Sequence, residues 1–182
     1  GAAGHDVLAL RGGPDGLVEG RFTPVSVDDV PVAATRHGGS WLGAGRRAVT
    51  EADLDAAVAQ LAAHGVEGVA LIGGNGTMAL LEALHRRGIT VAGIPKTVDN
   101  DLAVIDHSPG YASAARYLTT VVPDLARDHE AMKGIEQVRI VETLGRSVGW
   151  LALAGGATTV FAEVAGVAAA THGDEWSLAL ID

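Results

Sequence analysis

The sequence predicts an α/β fold with a mainly parallel sheet flanked by helices, and three observations carry that prediction. Apolar runs of strand length alternate with helical stretches. A glycine-dense turn joins one such strand to the helix behind it. Polar clusters follow the apolar runs at their carboxyl ends, the edge where open parallel sheets hold ligands. The 182 residues, 48% of them hydrophobic, suffice for a buried core, and 1–182 is expected to form a single domain. A net charge of -9 opposes broad binding to nucleic acid or anionic lipid. There is no cysteine, which excludes disulfides, thiolate metal sites and a cysteine nucleophile. Residues 1–10 lack the cationic start and long apolar core of a signal peptide, and 151–162 is too short to span a bilayer. A cytoplasmic protein with no membrane role is the expectation.

Taken in order, His5–Leu10 reads as a short strand and Arg11-Gly12-Gly13-Pro14-Asp15-Gly16 as a turn. Leu17–Val30 has no sustained period and reads as a connection with one short helical turn. In Gly38-Gly39-Ser40-Trp41-Leu42-Gly43-Ala44-Gly45-Arg46-Arg47 the glycines let a backbone approach a ligand, and Arg46 or Arg47 can fork onto a phosphate. A solvated loop with surface arginines is the competing reading. Thr50 can cap a helix with Glu51 and Asp53 in its first turn, an apolar stripe at Leu54, Ala57, Val58 and Leu61, and Gly65 at its end. Val66–Ile72 then reads as a buried strand, followed by Gly73-Gly74-Asn75-Gly76-Thr77 and a helix through Arg87. Strand, glycine loop and helix in that order aim backbone N–H groups and the positive end of the helix dipole at an anion, for which a phosphate is the natural guest. The loop is neither a Walker loop nor a dinucleotide fingerprint. A tight turn capped by Asn75 or Thr77 would read the same way.

Ile89–Ile94 supplies the next strand by a right-handed crossover, and Pro95 stops it. Behind it stand Lys96-Thr97-Val98-Asp99-Asn100-Asp101. Here Asp99 can take a proton from an attacking hydroxyl, Thr97 can hold a transferring group and Lys96 can offset anionic charge; an acidic turn is the alternative. Ser108-Pro109 predicts a helix start, with the helix running from Tyr111 towards Leu125 until Pro123 disturbs it. Val138–Val141 reads as a strand that delivers Glu142 to Trp150, with Arg146, to the same edge; Leu151–Ala154 reads as helix and Thr158–Ala162 as a strand. Strands ending near Ile72, Ile94 and Val141 are expected to be neighbours, bringing Asn75, Asp99 and Arg146 together.

Gly73-Gly74-Asn75-Gly76-Thr77, Pro95-Lys96-Thr97-Val98-Asp99-Asn100-Asp101 and Glu142-Thr143-Leu144-Gly145-Arg146 with Gly149-Trp150 resemble, in order and setting, motifs of the 6-phosphofructokinase family. Gly38 to Arg46 resembles that family's nucleotide-side arginine loop. The resemblance runs from about His5 to Glu163 and implies a Rossmann-like α/β enzyme that phosphorylates the 1-hydroxyl of fructose 6-phosphate or a related sugar phosphate. It implies Asp99 as the base, supported by Thr97 and Asp101, with Arg146 stabilising the transferring group or gripping the sugar phosphate and Leu144-Gly145 under the sugar. Arg46, Gly74, Asn75, Gly76, Thr77 and Lys96 would hold donor phosphates. The family's aspartate at position 75 helps hold Mg2+; asparagine here keeps an oxygen and loses the charge. Gly76 implies ATP rather than diphosphate as donor, while Lys96 fits either. A homo-oligomer, dimer or tetramer, is the family expectation.

Against that pattern the chain is expected to begin beyond the family's first strand and glycine-rich loop, and 164–182 holds no counterpart of its closing histidine and arginine motif. Pro14 and Gln137 replace an aromatic near the nucleotide and an arginine that reaches a neighbouring subunit. The alternatives are a noncatalytic nucleotide or phosphate binder on the same scaffold and a lipid or NAD kinase. A 182-residue chain that is complete is expected to lack kinase activity.

Overall fold

Leucines at helical spacing build the core of the first of two units into which the chain divides. The computed structural model describes residues 4–160, 167–172 and 175–181. One unit comprises Gly1–Leu71 and Ala79–Gly93, the other Ile72–Met78 and Ile94–Asp182.

In the first unit, β1 (Leu8–Leu10) pairs antiparallel with β2 (Phe22–Pro24) around α1 (Gly13–Glu19). The predicted turn at Arg11–Gly16 therefore contains a helix start: Pro14 sits in the first turn, where its missing N–H removes no intrahelical bond. The predicted connection Leu17–Val30 contains β2 as well as the expected helical turn, a 3-10 turn at Val27–Asp29. After α2 (Val32–Arg36) and a long loop comes α3 (Glu51–Ala63).

The α3 start is as its sequence reads. The Asp53 N–H donates to the Thr50 hydroxyl at 3.2 Å, and the Thr50 N–H donates to the Asp53 carboxylate at 2.9 Å. The Arg47 guanidinium, donating at 2.6 Å, together with the Thr50 bonds holds the Asp53 carboxyl down at about 2. Because the folded value lies below the ordinary 3.8, the stability this group contributes is present above that pH and is lost as pH falls through about 2. Asp53→Asn should therefore lower Tm at neutral pH and flatten its fall in that acid window. Thr50→Ala should cost about 1 kcal/mol, read from denaturant midpoints.

Leu54, Ala57 and Leu61 of α3 pack with Leu17 and with Leu80 and Leu84 of α4 (Asn75–Arg86). The α4 helix links β3 (Gly68–Gly73) to β4 (Thr90–Pro95); the two strands are sheet neighbours joined by the kind of crossover that parallel pairing requires. The expected adjacency of the strands ending near Ile72 and Ile94 thus holds.

In the second unit, α5 (Tyr111–Ala131) runs unbroken through Pro123, contrary to expectation. A proline inside a helix costs about 3 kcal/mol, but fully buried Val122 is anchored against α6 (Trp150–Val160), where a Cβ on Gly155 would lie 3.2 Å from it. Tertiary packing overrides the local penalty. The predicted strand at Thr158–Ala162 is also corrected: 158–160 completes α6, and 161–162 lies outside the described residues.

Strand β5 (Val138–Thr143) differs too. It pairs antiparallel with β7 (Glu175–Ile181), which pairs antiparallel with β6 (Val167–His172), so β5 does not join β3 and β4 in one sheet. An apolar alternation fixes which face a strand buries, not which strand it pairs with. Among the described residues no helix is long and apolar enough to cross a membrane.

Candidate functional site

The glycine loop lies where β3 ends and α4 begins. A Cβ on Gly73 would fall 2.1 Å from the Thr77 hydroxyl oxygen, and one on Gly74 would fall 3.3 Å from the Thr97 Cβ. These glycines let the loop tuck under its own helix and against the following strand's loop. Gly76 faces open space, with nothing within 4 Å of a Cβ built there. The Met78 N–H donates to the Gly74 carbonyl at 3.0 Å, so the amides just before it form the open amino end of α4.

The second loop is tied down at almost every residue. The Lys96 N–H donates to the Gly73 carbonyl at 2.8 Å, fixing it to the glycine loop. Thr97 is buried: its N–H donates to the Pro109 carbonyl at 3.2 Å, and its hydroxyl accepts the Asp99 N–H at 3.2 Å. Asn100 adopts a left-handed φ of 58°, which a short amide side chain tolerates. Its Oδ1 accepts the Ser108 N–H at 2.8 Å and its Nδ2 donates to the Asp106 carbonyl at 3.0 Å. Buried Ser108 donates its hydroxyl to the Thr97 carbonyl at 2.6 Å. The predicted Ser108 cap is therefore replaced by this clamp, and Gly110, at φ 103°, precedes the first turn of α5 instead. Sequence reasoning missed Ser108 and Asn100 as partners; the only local signal was the ease with which asparagine enters turns.

The two loops also meet through side chains. Asn75 Nδ2 donates to Asp101 Oδ2 at 2.7 Å. The acceptor-only carboxylate requires the amide to present its nitrogen. Asp101 Oδ1 is buried without a hydrogen-bond partner, an orphaned acceptor. Asn75, Thr97, Asp99 and Asp101, with Gly73, Gly74 and Lys96, are thus brought together.

The arginines are arranged differently. Arg146 is exposed at φ 53°, a left-handed conformation rare for a long side chain, in the turn between buried Gly145 and α6. Leu144 beside it is also exposed. No hydrogen bond or ion pair among the described residues joins Arg146 to the aspartate loop. Arg46 lies in the first unit and is exposed, whereas Arg47 is committed to Asp53 at 2.6 Å and Asp15 at 3.5 Å, which raise its pKa. Of the two arginines open in the sequence, only Arg46 is available to an anion. In the same unit, the Gly12 N–H donates to the Leu42 carbonyl at 2.9 Å and the Arg11 guanidinium lies 5.3 Å over the Trp41 ring, which fixes the glycine-rich loop.

A resident divalent cation does not fit this set. No three Asp, Glu or His side chains cluster for a metal among the described residues. Asn75 brings no charge, and its N–H group is engaged by Asp101.

The sequence profile of the phosphofructokinase family (PFK: Phosphofructokinase) matches residues 1–170. A sulfofructose kinase from Alkalicoccus urumqiensis is 47% identical over 159 residues, covering 83% of this chain and 42% of that protein. An ATP-dependent 6-phosphofructokinase from Thermotoga neapolitana is 35% identical, covering 86% of this chain and 49% of that protein. A pyrophosphate–fructose 6-phosphate 1-phosphotransferase from Amycolatopsis methanolica is 34% identical, covering 87% and 47%. The chain spans about half the length of these relatives. Among solved structures, the pyrophosphate-dependent phosphofructokinase of Nitrosospira multiformis superposes with a TM-score of 0.68 at 22% identity, over 85% of this chain and 41% of that one, a likeness of fold. With the profile matching nearly its whole length and relatives above 30% identity over most of it, the chain belongs to the phosphofructokinase family.

Proposed function

We propose that the protein transfers a phosphoryl group to the 1-hydroxyl of a ketose carrying an anionic group at C6, with ATP as the donor. The observation that carries this reading is the closure of the glycine loop on the aspartate loop, Gly74 against Thr97 and Asn75 on Asp101. It gathers an anion-binding helix start and a fixed carboxylate in one unit. Asp99 takes the proton of the attacking hydroxyl as its oxygen bonds the terminal phosphorus and the bond to the leaving phosphate breaks. Thr97 holds the Asp99 backbone through its hydroxyl, and Asp101 supports the acceptor with its unpartnered Oδ1. Gly74, Asn75, Gly76 and Thr77 cradle donor phosphates. Lys96 and Arg146 offset negative charge, Arg146 on the transferring group beside Leu144-Gly145 under the sugar.

Open space at Gly76 supports a nucleotide donor, since no side chain narrows the mouth of the loop. For the acceptor, the 47% identity to a protein named sulfofructose kinase, against 35% and 34% to the phosphofructokinases, supports a sulfonate rather than a phosphate at C6. Mg2+ carried by the donor phosphates would supply charge neutralisation there. The test is product formation by the purified full-length protein with ATP or diphosphate against sulfofructose or fructose 6-phosphate. ATP with sulfofructose should give the highest kcat/KM. Product with diphosphate alone would remove ATP as donor, preference for fructose 6-phosphate would remove the sulfonate reading, and no product in any combination would remove the kinase reading.

A further inference from the structure

We propose that Asn75 frees the closure of the two site loops from any divalent cation, so that this one amide sets the cation dependence of the site's architecture. Asn75 Nδ2 donates to Asp101 Oδ2 at 2.7 Å. Two groups at that distance need either a proton or a cation between them. An amide supplies the proton permanently. A carboxylate at position 75 would set two anions at the same separation, and they could close only by sharing a proton or by bridging a cation. The chain has taken the first solution.

The surroundings do not replace that amide. Asp101 Oδ1 is buried without a partner, so no second donor holds this carboxylate in place. Lys96 reaches the glycine loop through its backbone N–H, which bonds the Gly73 carbonyl, and its side-chain stem lies beside Gly110. The closure between the side chains therefore rests on Asn75. No acidic cluster among the described residues offers a cation an alternative seat.

This inference rests on the kinase reading only for where a cation would eventually arrive, with a phosphorylated donor. Its test reads cation linkage rather than turnover, so either reading can fail alone. Thermal unfolding of the protein is measured without ligand, in MgCl2 and in NaCl of matched ionic strength. The wild-type Tm should be the same in both salts, and calorimetry with MgCl2 should give no saturable binding. Asn75→Asp should lower Tm in NaCl by about 2–4 °C and regain it in MgCl2. The exchanged pair, Asn75→Asp with Asp101→Asn, again joins an amide to a carboxylate and should recover Tm in NaCl with no further gain from Mg2+. A wild-type protein stabilised by Mg2+ as much as Asn75→Asp overturns the proposal. An exchanged pair as cation-dependent as the single variant overturns it too. Should Asn75→Asp not fold, the wild-type titration still decides, because saturable Mg2+ binding without donor contradicts the inference directly.

Discussion

Asp99→Asn in the full-length protein is expected to lower turnover by about 10²–10⁴-fold while leaving donor affinity nearly unchanged, because it keeps the shape of the side chain and removes its capacity to accept a proton. The structure sharpens this expectation. The Asp99 N–H bonds the Thr97 hydroxyl, and that bond belongs to the backbone, so the substitution leaves the loop's own hydrogen bonds intact. The Asn100–Ser108 clamp likewise involves no atom of the Asp99 side chain. A fall in kcat with constant donor KM in a steady-state assay of the protein is the predicted split. Unaltered turnover would remove the role assigned to Asp99.

Leu84→Ala should cost about 2–5 kcal/mol of stability, the range for emptying a buried leucine site. Leu84 has no exposed surface and belongs to the cluster formed with Leu17, Leu54, Ala57, Leu61 and Leu80. Ile135→Ala provides the contrast: this residue is 83% exposed, and its truncation should stay within about 0.5 kcal/mol. Urea midpoints with unchanged m-values would measure both.

What the sequence discloses here is local. The Thr50–Asp53 capping box, the glycine loop before α4 and the strand–helix–strand unit from Gly68 to Pro95 each depend on residues close in sequence, and each is legible from spacing. The features that were not legible depend on partners far apart. Ser108 reads as a helix cap because its neighbour is proline, yet its hydroxyl bonds Thr97, eleven residues earlier. Pro123 reads as a helix end, and the buried contact of Val122 with α6 keeps the helix going. Arg46 and Arg47 are equivalent in sequence until Asp15 and Asp53 claim the second. Strand β5 shows its apolar alternation but not that β7 is its partner. The aspartate loop shows its run of polar residues at once, whereas its coupling to Asn75 emerges only when the two loops are brought together.

Amide-resolved NMR titration of the isotopically labelled protein asks whether the glycine loop and the aspartate loop form one phosphoryl-transfer site. Sulfofructose or fructose 6-phosphate should shift the amides of 97–101, and ATP should shift those of 74–77. The loops share hydrogen bonds at Lys96 and Asn75, so each ligand should also move the other loop's amides to a smaller extent. Titrations in which neither the sugar nor the nucleotide perturbs either loop would contradict the account.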